Sequence, residues 1–297
     1  MRHVHISNSL APDHVMGRGF ARSVSVVVVC AAALLPASNA QAVIVAAPHS
    51  QVLGKEIGEW SVDWWNWVNS IPAAKAPPAD TTGGSAFLNN DGPVFFLAGT
   101  FGGPQTRGID LPTDRPILVP LINGIWYATP VVSPEIDTDL DTVDDDTEEL
   151  FLGAKVSPDG PREFMERHIV DPIDQLNFSF DGLSAQELGI DLFDFRESAH
   201  GVAHVPAGSN AAQNGIPEGN FPLSYSTGYY VMLTDIGPGP HTLSFGGSRP
   251  AHFDVDGDGT LDLFPFSTQV HVVPEPFTAV LLAVGTVCVL AKRRRRM

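Results

Sequence analysis

The clearest periodic pattern in the chain is an amphipathic run over residues 55–70, KEIGEWSVDWWNWVNS. Trp60, Trp64 and Trp67 recur at helical spacing, which places them on one face of a predicted helix. We expect this face to be buried against a sheet, because large aromatic side chains at helical spacing most often belong to a core. The alternative is a platform on which sugar rings stack. Trp65 lies off this face and is the better candidate for an exposed stacking residue.

The rest of the pattern consists of short apolar runs that are separated by glycine and proline and are typical of β-strands. The predicted strands are 94–98, 116–122, 125–128, 176–180, 228–233, 241–245 and 269–273. Asn123-Gly124 is predicted to form the turn between the second and third strands, and Gly237–Pro240 to close a hairpin. Many short strands with few helices favour a mainly β fold, a β-sandwich or jelly-roll-like domain with a tryptophan-rich N-terminal helix.

The N-terminal end has the order of features that is typical of a secretory signal peptide. Arg18 and Arg22 precede an apolar run at 24–35, and a stretch of small residues follows it and ends at Ala42. This order of charged, apolar and small residues is what signal peptidase recognises. We therefore expect residues 1–42 to be removed on export, with Met16 as an alternative start of the chain.

A second apolar run, at residues 277–291, is followed by a basic tail at 292–296. The run would form a helix about 22 Å long, shorter than a hydrocarbon core of roughly 30 Å, so flanking residues would have to help it span the bilayer. The basic tail favours a cytoplasmic C-terminus. The sequence therefore predicts a single C-terminal transmembrane helix with the body of the protein outside.

The segment between these ends, residues 43–273, is strongly acidic. It contains 9 Lys and Arg against 32 Asp and Glu, a net charge of −23, whereas the whole chain has −17. Such a charge repels nucleic acid, which we exclude as a partner, and attracts divalent cations. Cys30 and Cys288 lie in the two terminal apolar runs, so we expect neither disulfide nor thiol chemistry in the acidic domain.

A three-part pattern ends the chain: Pro274, Glu275 and Pro276, then the apolar run, then Arg293, Arg294, Arg295 and Arg296. The prolines favour extended backbone, which a processing enzyme can grip. In this order the parts resemble the PEP-CTERM sorting signal of Gram-negative bacteria. The resemblance implies processing by an exosortase-type membrane enzyme, an inner-membrane intermediate with a cytoplasmic C-terminus, and a final place at the cell surface or in the extracellular matrix, associated with exopolysaccharide. A plain C-terminal anchor is the alternative.

The strongest candidate ligand site is the run DVDGDGTLD at residues 254–262. Alternating aspartates followed by a turn glycine place hard oxygen ligands around one point, as Ca²⁺ requires. The predicted ligands are the side chains of Asp254, Asp256 and Asp258, the carbonyl of Thr260, and Asp262 directly or through water. Pro265 stands where an EF-hand has its glutamate, so we expect a short structural calcium loop. The alternative is an acidic surface turn.

Two further clusters are interpreted without a ligand. The acidic run 137–149 lacks a loop glycine and is more typical of a solvated surface. His200 and His204 have the spacing of two metal ligands on a helix, but Gly201 and Pro206 disfavour a helix there. We therefore interpret both histidines as incidental.

The sequence contains no motif typical of covalent catalysis or of phosphate binding. The acidic domain also resembles an uncharacterised group of bacterial secreted proteins, through residues 60–67, 95–100 and 228–243, and that resemblance implies no activity. Together these features predict a non-enzymatic surface or matrix protein that is stabilised by calcium and associated with exopolysaccharide. A carbohydrate-active hydrolase or lyase is the alternative, since carboxylate pairs depend on the fold.

Overall fold

The computed structural model describes residues 43–128, 162, 165–250 and 266–274, and the described part is mainly β, as predicted. The predicted signal peptide, acidic run, calcium loop and C-terminal apolar run lie outside these residues. None of the helices within the described ranges has the length and apolar character that a membrane crossing requires.

The described residues form twelve strands and two α-helices, with short 3₁₀ turns and one π-helical segment at Met165–Val170. In chain order the elements are β1 (Ile44–Val45), β2 (Gln51–Val52), β3 (Lys55–Glu56), α1 (Ile57–Asn69), β4 (Phe95–Phe96), β5 (Gly103–Gly108), β6 (Ile117–Trp126), β7 (Gln175–Phe180), β8 (Leu183–Ser184), β9 (Arg196–Val205), α2 (Asn210–Gln213), β10 (Gly219–Asp235), β11 (Leu243–Arg249) and β12 (Phe266–Val273).

Ten of these strands form two five-stranded sheets. In the first sheet the order is β1-β10-β6-β4, with β9 also paired to β10, and in the second it is β5-β12-β11-β7-β8. Most pairs are antiparallel, but β4 pairs with β6 and β5 with β12 in parallel. Both sheets contribute to one apolar core. Its members include Phe95, Val119 and Val231 from the first sheet and Phe178, Phe245 and Val270 from the second.

β10 is the central strand of the first sheet, and its residues 224–233 are buried without interruption. Val231 and Leu233 point into the core shared with the second sheet, whereas Tyr230 and Met232 belong to a second apolar cluster that includes α1. Both faces are therefore covered, which explains the continuous burial. In β12, buried and partly exposed residues alternate, as expected where only one face of a sheet is covered.

Helix α1 covers the outer face of the first sheet with its tryptophan side, so the prediction of a buried tryptophan face is confirmed. The three indole N–H groups each donate to a backbone carbonyl: Trp60 to Val52 at 2.8 Å, Trp64 to Leu97 at 2.5 Å and Trp67 to Leu88 at 2.8 Å. Buried tryptophans require such partners because an unpaired N–H in an apolar core is costly. These three residues are therefore core residues and form no exposed stacking platform.

The same helix also protects the free edge of β9. The Asn66 side chain donates to the Val202 carbonyl at 2.9 Å and accepts from the His204 N–H at 2.8 Å, so it replaces a neighbouring strand. The helix approaches so closely that a Cβ atom on Gly58 would lie 2.3 Å from the Ser198 carbonyl oxygen. The close approach explains why glycine occupies this position inside a helix.

Two turn predictions are wrong. β6 runs without a break through Asn123-Gly124, because this stretch pairs residue by residue with β10, to Gly228 and Thr227, and needs no turn. Gly237–Pro240 closes no hairpin, because β6 already occupies one edge of β10 while β9 and β1 occupy the other. The chain therefore crosses after β10 to the second sheet, where β11 pairs with β7 and β12.

Candidate functional site

A pocket opens beside Trp65 of α1, at the point where the helix, β6 and the start of β12 meet. Its lining includes Trp65, Thr100, Phe101, Asn123, Phe266 and Thr268. Its volume is about 70 Å³, several times the roughly 10–15 Å³ that one water molecule requires. The pocket can therefore hold a group of several heavy atoms.

The loop between β4 and β5 forms one side of the pocket and is held in place by hydrogen bonds. The Thr100 N–H donates to Thr268 Oγ1 at 2.9 Å, and the Thr100 hydroxyl donates to the Gly103 carbonyl at 2.9 Å. Gly102 and Gly103 have positive φ angles of 143° and 73°, which the sharp turn requires. The side chain of Phe101 is 53% exposed on this fixed loop. An aromatic ring is thus presented to solvent at the rim of the pocket.

A second wall is positioned by the buried guanidinium of Arg107, which is only 2% exposed. It donates to the carbonyls of Asp80 at 2.7 Å, Ala98 at 2.6 Å and Pro78 at 3.3 Å. Burial lowers the pKa of Arg107, while the charge of Asp80 opposes this effect. Arg107 therefore ties the segment around Pro78, which lines the pocket, to the end of the strand before the Phe101 loop.

The carboxylate of Asp80 fixes the turn that follows this segment. It accepts from the Ser85 N–H at 2.7 Å and from the Thr82 N–H at 2.8 Å. Burial raises the pKa of Asp80, but these hydrogen bonds and the charge of Arg107 outweigh it, so the pKa is lowered. The carboxylate is thus stable in its charged form and serves as a structural acceptor.

Behind the pocket lies a buried chain of hydroxyl groups. The Ser61 hydroxyl lies 2.8 Å from that of Ser226, which lies 3.3 Å from the Tyr230 hydroxyl. Burial raises the pKa of Tyr230 to about 12, although hydrogen bonding to Ser226 and to the nearby Asn123, Ser61 and Trp65 works in the opposite direction. Tyr230 therefore stays neutral at physiological pH.

Two buried N–H groups of lining residues form no hydrogen bond of good geometry within the described part of the chain. They are the indole Nε1 of Trp65 and the side-chain amide Nδ2 of Asn123. Both interact with the Tyr230 hydroxyl and oppose the rise in its pKa that burial causes. Because both atoms have almost no accessible surface, they belong to the packing around Tyr230 and not to the accessible surface of the pocket.

The pocket is electrically neutral, since no Asp, Glu, Lys, Arg or His is among its described lining residues. This contrasts with the net charge of −17 on the chain. The described lining contains no pair of carboxylates, and it offers mainly aromatic and apolar surface with the side chains of Thr100, Asn123 and Thr268.

Of the sequence-predicted site residues, Trp65 lines the pocket, where it is half-buried and packs edge-on against Trp64, with ring centroids 4.8 Å apart. Pro274 directly follows β12, and the rest of the predicted sorting motif lies outside the described residues. The predicted calcium ligands also lie outside them, and within the described ranges no group of three or more His, Cys, Asp and Glu residues could hold a metal ion.

His200 and His204 both lie on strand β9, not on a helix. Four residues of strand span about 13 Å, too far for two ligands of one metal ion. The His200 ring packs against Tyr225, and Nδ1 of His204 lies 2.6 Å from Asn220 Oδ1. Their placement agrees with the interpretation of both histidines as incidental.

A polar cluster on the same sheet stabilises the fold. The Glu166 carboxylate forms an ion pair with Arg196, and it accepts from the hydroxyls of Tyr225 at 2.5 Å and Thr227 at 3.0 Å. Arg196 also pairs with Asp171 at 2.8 Å. These contacts anchor the π-helical segment to β9 and β10.

Sequence reasoning missed Phe101, Asn123, Thr100 and Thr268 as parts of a site. Phe101 had one signal, an aromatic residue inside the glycine-rich run 99–103. The others come together only through the pairing of distant strands. Comparisons with protein-family models, with curated proteins and with solved structures find no match for the chain.

Proposed function

We propose that this chain is an exported surface or matrix protein that binds exopolysaccharide without cleaving it. Its described part would belong to a secreted β-sandwich with jelly-roll-like character, carried between a signal peptide at residues 1–42 and a PEP-CTERM-type sorting segment at residues 274–297. Two parallel strand pairs depart from an all-antiparallel jelly roll.

The observation that carries the binding proposal is the exposed ring of Phe101 on a hydrogen-bonded loop beside a neutral pocket. Sugar rings present C–H groups on their faces, and these pack well against aromatic surfaces. A rigid loop loses little conformational entropy when it binds. Trp65 and Phe266 add aromatic surface in the pocket.

The neutral lining supports a binding role over a catalytic one. Glycoside hydrolysis uses two carboxyl groups on either side of the bond that breaks. The described lining of this pocket contains none. The alternative, a carbohydrate-active hydrolase or lyase, would have to place its chemistry elsewhere on the chain.

The proposed localisation rests on the sequence patterns at the N-terminal and C-terminal ends of the chain. Signal peptidase would remove the N-terminal segment, and an exosortase-type enzyme would act at Pro274-Glu275-Pro276 while the basic tail stays in the cytoplasm. Mass spectrometry of the exported protein tests this directly. The proposal expects the loss of both ends, and a species that keeps residues 277–297 would support a permanent membrane anchor instead.

We further propose a structural Ca²⁺ ion at Asp254, Asp256, Asp258, Thr260 and Asp262. The support is the spacing of the aspartates and the acidic character of the domain. A bound ion would raise the melting temperature of the exported protein in calcium relative to chelator. An unchanged melting temperature would count against the ion.

Co-sedimentation with the exopolysaccharide of the producing cells tests the proposed function. The exported protein is mixed with polymer in calcium and again with chelator, and the length of the polymer is measured afterwards. We expect saturable binding with no change in polymer length. Shortened polymer would favour the enzyme, and an absence of binding in both conditions would refute the proposal.

A further inference from the structure

We propose that the end of the two sheets at which β12 stops faces the membrane and touches its lipid surface while the chain is still anchored there. We call it the Val273 end, and it includes Ile44, Asp235, Leu183 and Leu243. The inference rests on the proposed function, because it takes residues 277–291 as the anchored segment. It names the surface through which the anchored form of the protein meets the membrane.

Strand pairing in the second sheet defines one half of this end. Val272 of β12 pairs with Leu243, the first residue of β11. Leu243 also pairs with Phe180 of β7, and Phe180 pairs with Leu183 of β8. These four residues therefore form one row across the sheet, one residue before β12 ends at Val273.

The first sheet supplies the other half of the end. Ile44 of β1 pairs with Asp235, the last residue of β10. Residues 236–242 then cross to Leu243 in the second sheet. β1 begins two residues after Ala42, the predicted site of signal-peptide cleavage. Both predicted processing sites therefore adjoin the same end of the folded body.

The link between this end and the predicted membrane segment is short. Val273 is fixed in the structure, since its carbonyl accepts from the Ile109 N–H at 2.9 Å. Only residues 274–276 separate it from the apolar run at 277–291. The four Cα steps from residue 273 to residue 277 span at most about 14 Å. A helix of about 22 Å in a hydrocarbon core of roughly 30 Å draws this link further toward the bilayer.

The Val273 end also presents apolar side chains to solvent. Ile44 is 54% exposed and Leu183 is 48% exposed. The boundary between headgroups and acyl chains accepts such side chains, but two of them are too little to hold a free domain on a membrane. The contact therefore needs the short link, which gives this end a high effective concentration at the lipid surface. Processing at residues 274–276 would end the contact and release the body.

The charge of this end indicates which lipid it tolerates. The Asp181 carboxylate accepts from the Thr242 N–H at 2.8 Å, and the Asp235 carboxylate accepts from the Gly237 N–H at 2.9 Å. These acidic groups and the net charge of −17 disfavour an anionic surface. We therefore expect contact with zwitterionic headgroups.

The proposed polysaccharide site lies toward the opposite end of the second sheet. Gly103, which ends the Phe101 loop, pairs with Thr268 of β12. The five residues from Thr268 to Val273 span about 17 Å of strand. With the Val273 end on the lipid, polymer outside the cell can reach Phe101 while the chain is still anchored.

The test measures how closely each end approaches the headgroups. A small fluorophore is attached to L183C or to F101C in the full chain, which also carries C30S and C288S and is produced in a host without the processing enzyme. The labelled chain is reconstituted in phosphatidylcholine vesicles with nitroxide on some headgroups. We expect quenching at least about threefold stronger at position 183 than at position 101, because about 17 Å separates the two ends of β12 and nitroxide quenching acts over a shorter range. Equal quenching, or stronger quenching at position 101, would overturn the inference.

Two further variants check the cause of the difference. I44C reports on the same end as L183C and replaces it if L183C fails to fold. A flexible insertion of about 20 Gly and Ser residues between Val273 and Pro274 spans roughly 25 Å on average, so it should bring the quenching ratio close to one. An unchanged ratio after the insertion would contradict the role of the short link.

The inference and the proposed function can fail separately. If the full chain does not float with the vesicles, the predicted C-terminal membrane segment is wrong and the inference falls with it. If the chain floats and both labels are quenched equally, the inference alone is wrong. Binding of polysaccharide at Phe101 is tested by co-sedimentation and does not depend on either result.

Discussion

The neighbouring residues Trp64 and Trp65 allow the strength of two buried indole hydrogen bonds to be compared through the stability of the protein. The Trp64 indole N–H donates to the Leu97 carbonyl at 2.5 Å, whereas the buried Trp65 indole N–H lies near the Tyr230 hydroxyl and forms no hydrogen bond of good geometry with the described residues. Replacement of each by phenylalanine removes one N–H and keeps an aromatic ring. The two substitutions therefore make the same chemical change and differ in the hydrogen bond that the removed N–H group formed.

The magnitude follows from these contacts. In W64F the Leu97 carbonyl loses its described side-chain donor, at a cost of roughly 1–3 kcal/mol. The smaller ring also leaves a gap in a fully packed site, which adds about 1–2 kcal/mol. In W65F the loss of packing is offset because a donor with a poorly aligned hydrogen bond disappears, so the free energy of unfolding should change by less than about 1 kcal/mol.

Thermal unfolding followed by circular dichroism measures the difference. For a domain of this size, about 3 kcal/mol corresponds to a decrease of roughly 6–12 °C in the melting temperature for W64F, against a small change for W65F. Each variant keeps an aromatic ring at both positions, so the edge-on contact between residues 64 and 65 remains possible in both. A difference in stability between the variants is therefore not due to the loss of this contact. If W65F destabilises the protein as much as W64F, the Trp65 N–H forms a hydrogen bond as strong as that of Trp64, and the reasoning is refuted.

Two further predictions concern the packing of α1 and a buried carboxylate. Gly58→Ala should lower the free energy of unfolding by about 1–3 kcal/mol, because the new Cβ would lie 2.3 Å from the Ser198 carbonyl oxygen. This cost should exceed the gain from the better helix propensity of alanine. Denaturant unfolding measures the change, and an increase in stability would contradict the close approach of helix and strand. Burial raises the pKa of Glu197 above 4.5, although hydrogen bonds from His49 oppose the shift. A raised pKa in the folded state means that stability is highest below about pH 4.5 and falls as the pH rises through the folded value. Glu197→Gln should remove this dependence of stability on pH, so the stability of the variant should rise relative to that of the unmodified protein between about pH 4 and pH 7. If the free energies of unfolding of the two proteins change with pH in parallel, the pKa of Glu197 is not raised.

The sequence predicts those parts of the fold that depend on local pattern. The spacing of Trp60, Trp64 and Trp67 is a property of one helix, so their shared buried face is read correctly. Alternating apolar runs likewise indicate a mainly β fold. The predicted turn at Asn123-Gly124 fails for a reason that is not local, because β10 is long enough to pair with β6 on both sides of it.

The crossing between the two sheets shows the same limit. Gly237–Pro240 has the composition of a hairpin turn, and only the occupancy of both edges of β10 prevents its neighbours from pairing. The order of strands in a sheet depends on which strand edges are free to pair, and the amino-acid composition of a turn carries no information about this.

The candidate site is partly predictable. Trp65 could be singled out because it lies off the buried face of α1. The pocket that Trp65 lines is also formed by Phe101, Asn123 and Thr268, which are distant in sequence and are brought together by strand pairing. A single sequence contains no signal that joins them.

Polysaccharide is proposed to bind at Phe101 and the pocket beside it. The most direct test is co-sedimentation with the polymer for the unmodified protein, for F101A and for F193A. Phe193 is the matched control, since it is 48% exposed and does not line the pocket. We expect F101A to bind about tenfold more weakly, as truncation of an aromatic anchor typically does, and F193A to bind like the unmodified protein. Equal binding of F101A and the unmodified protein would contradict the account.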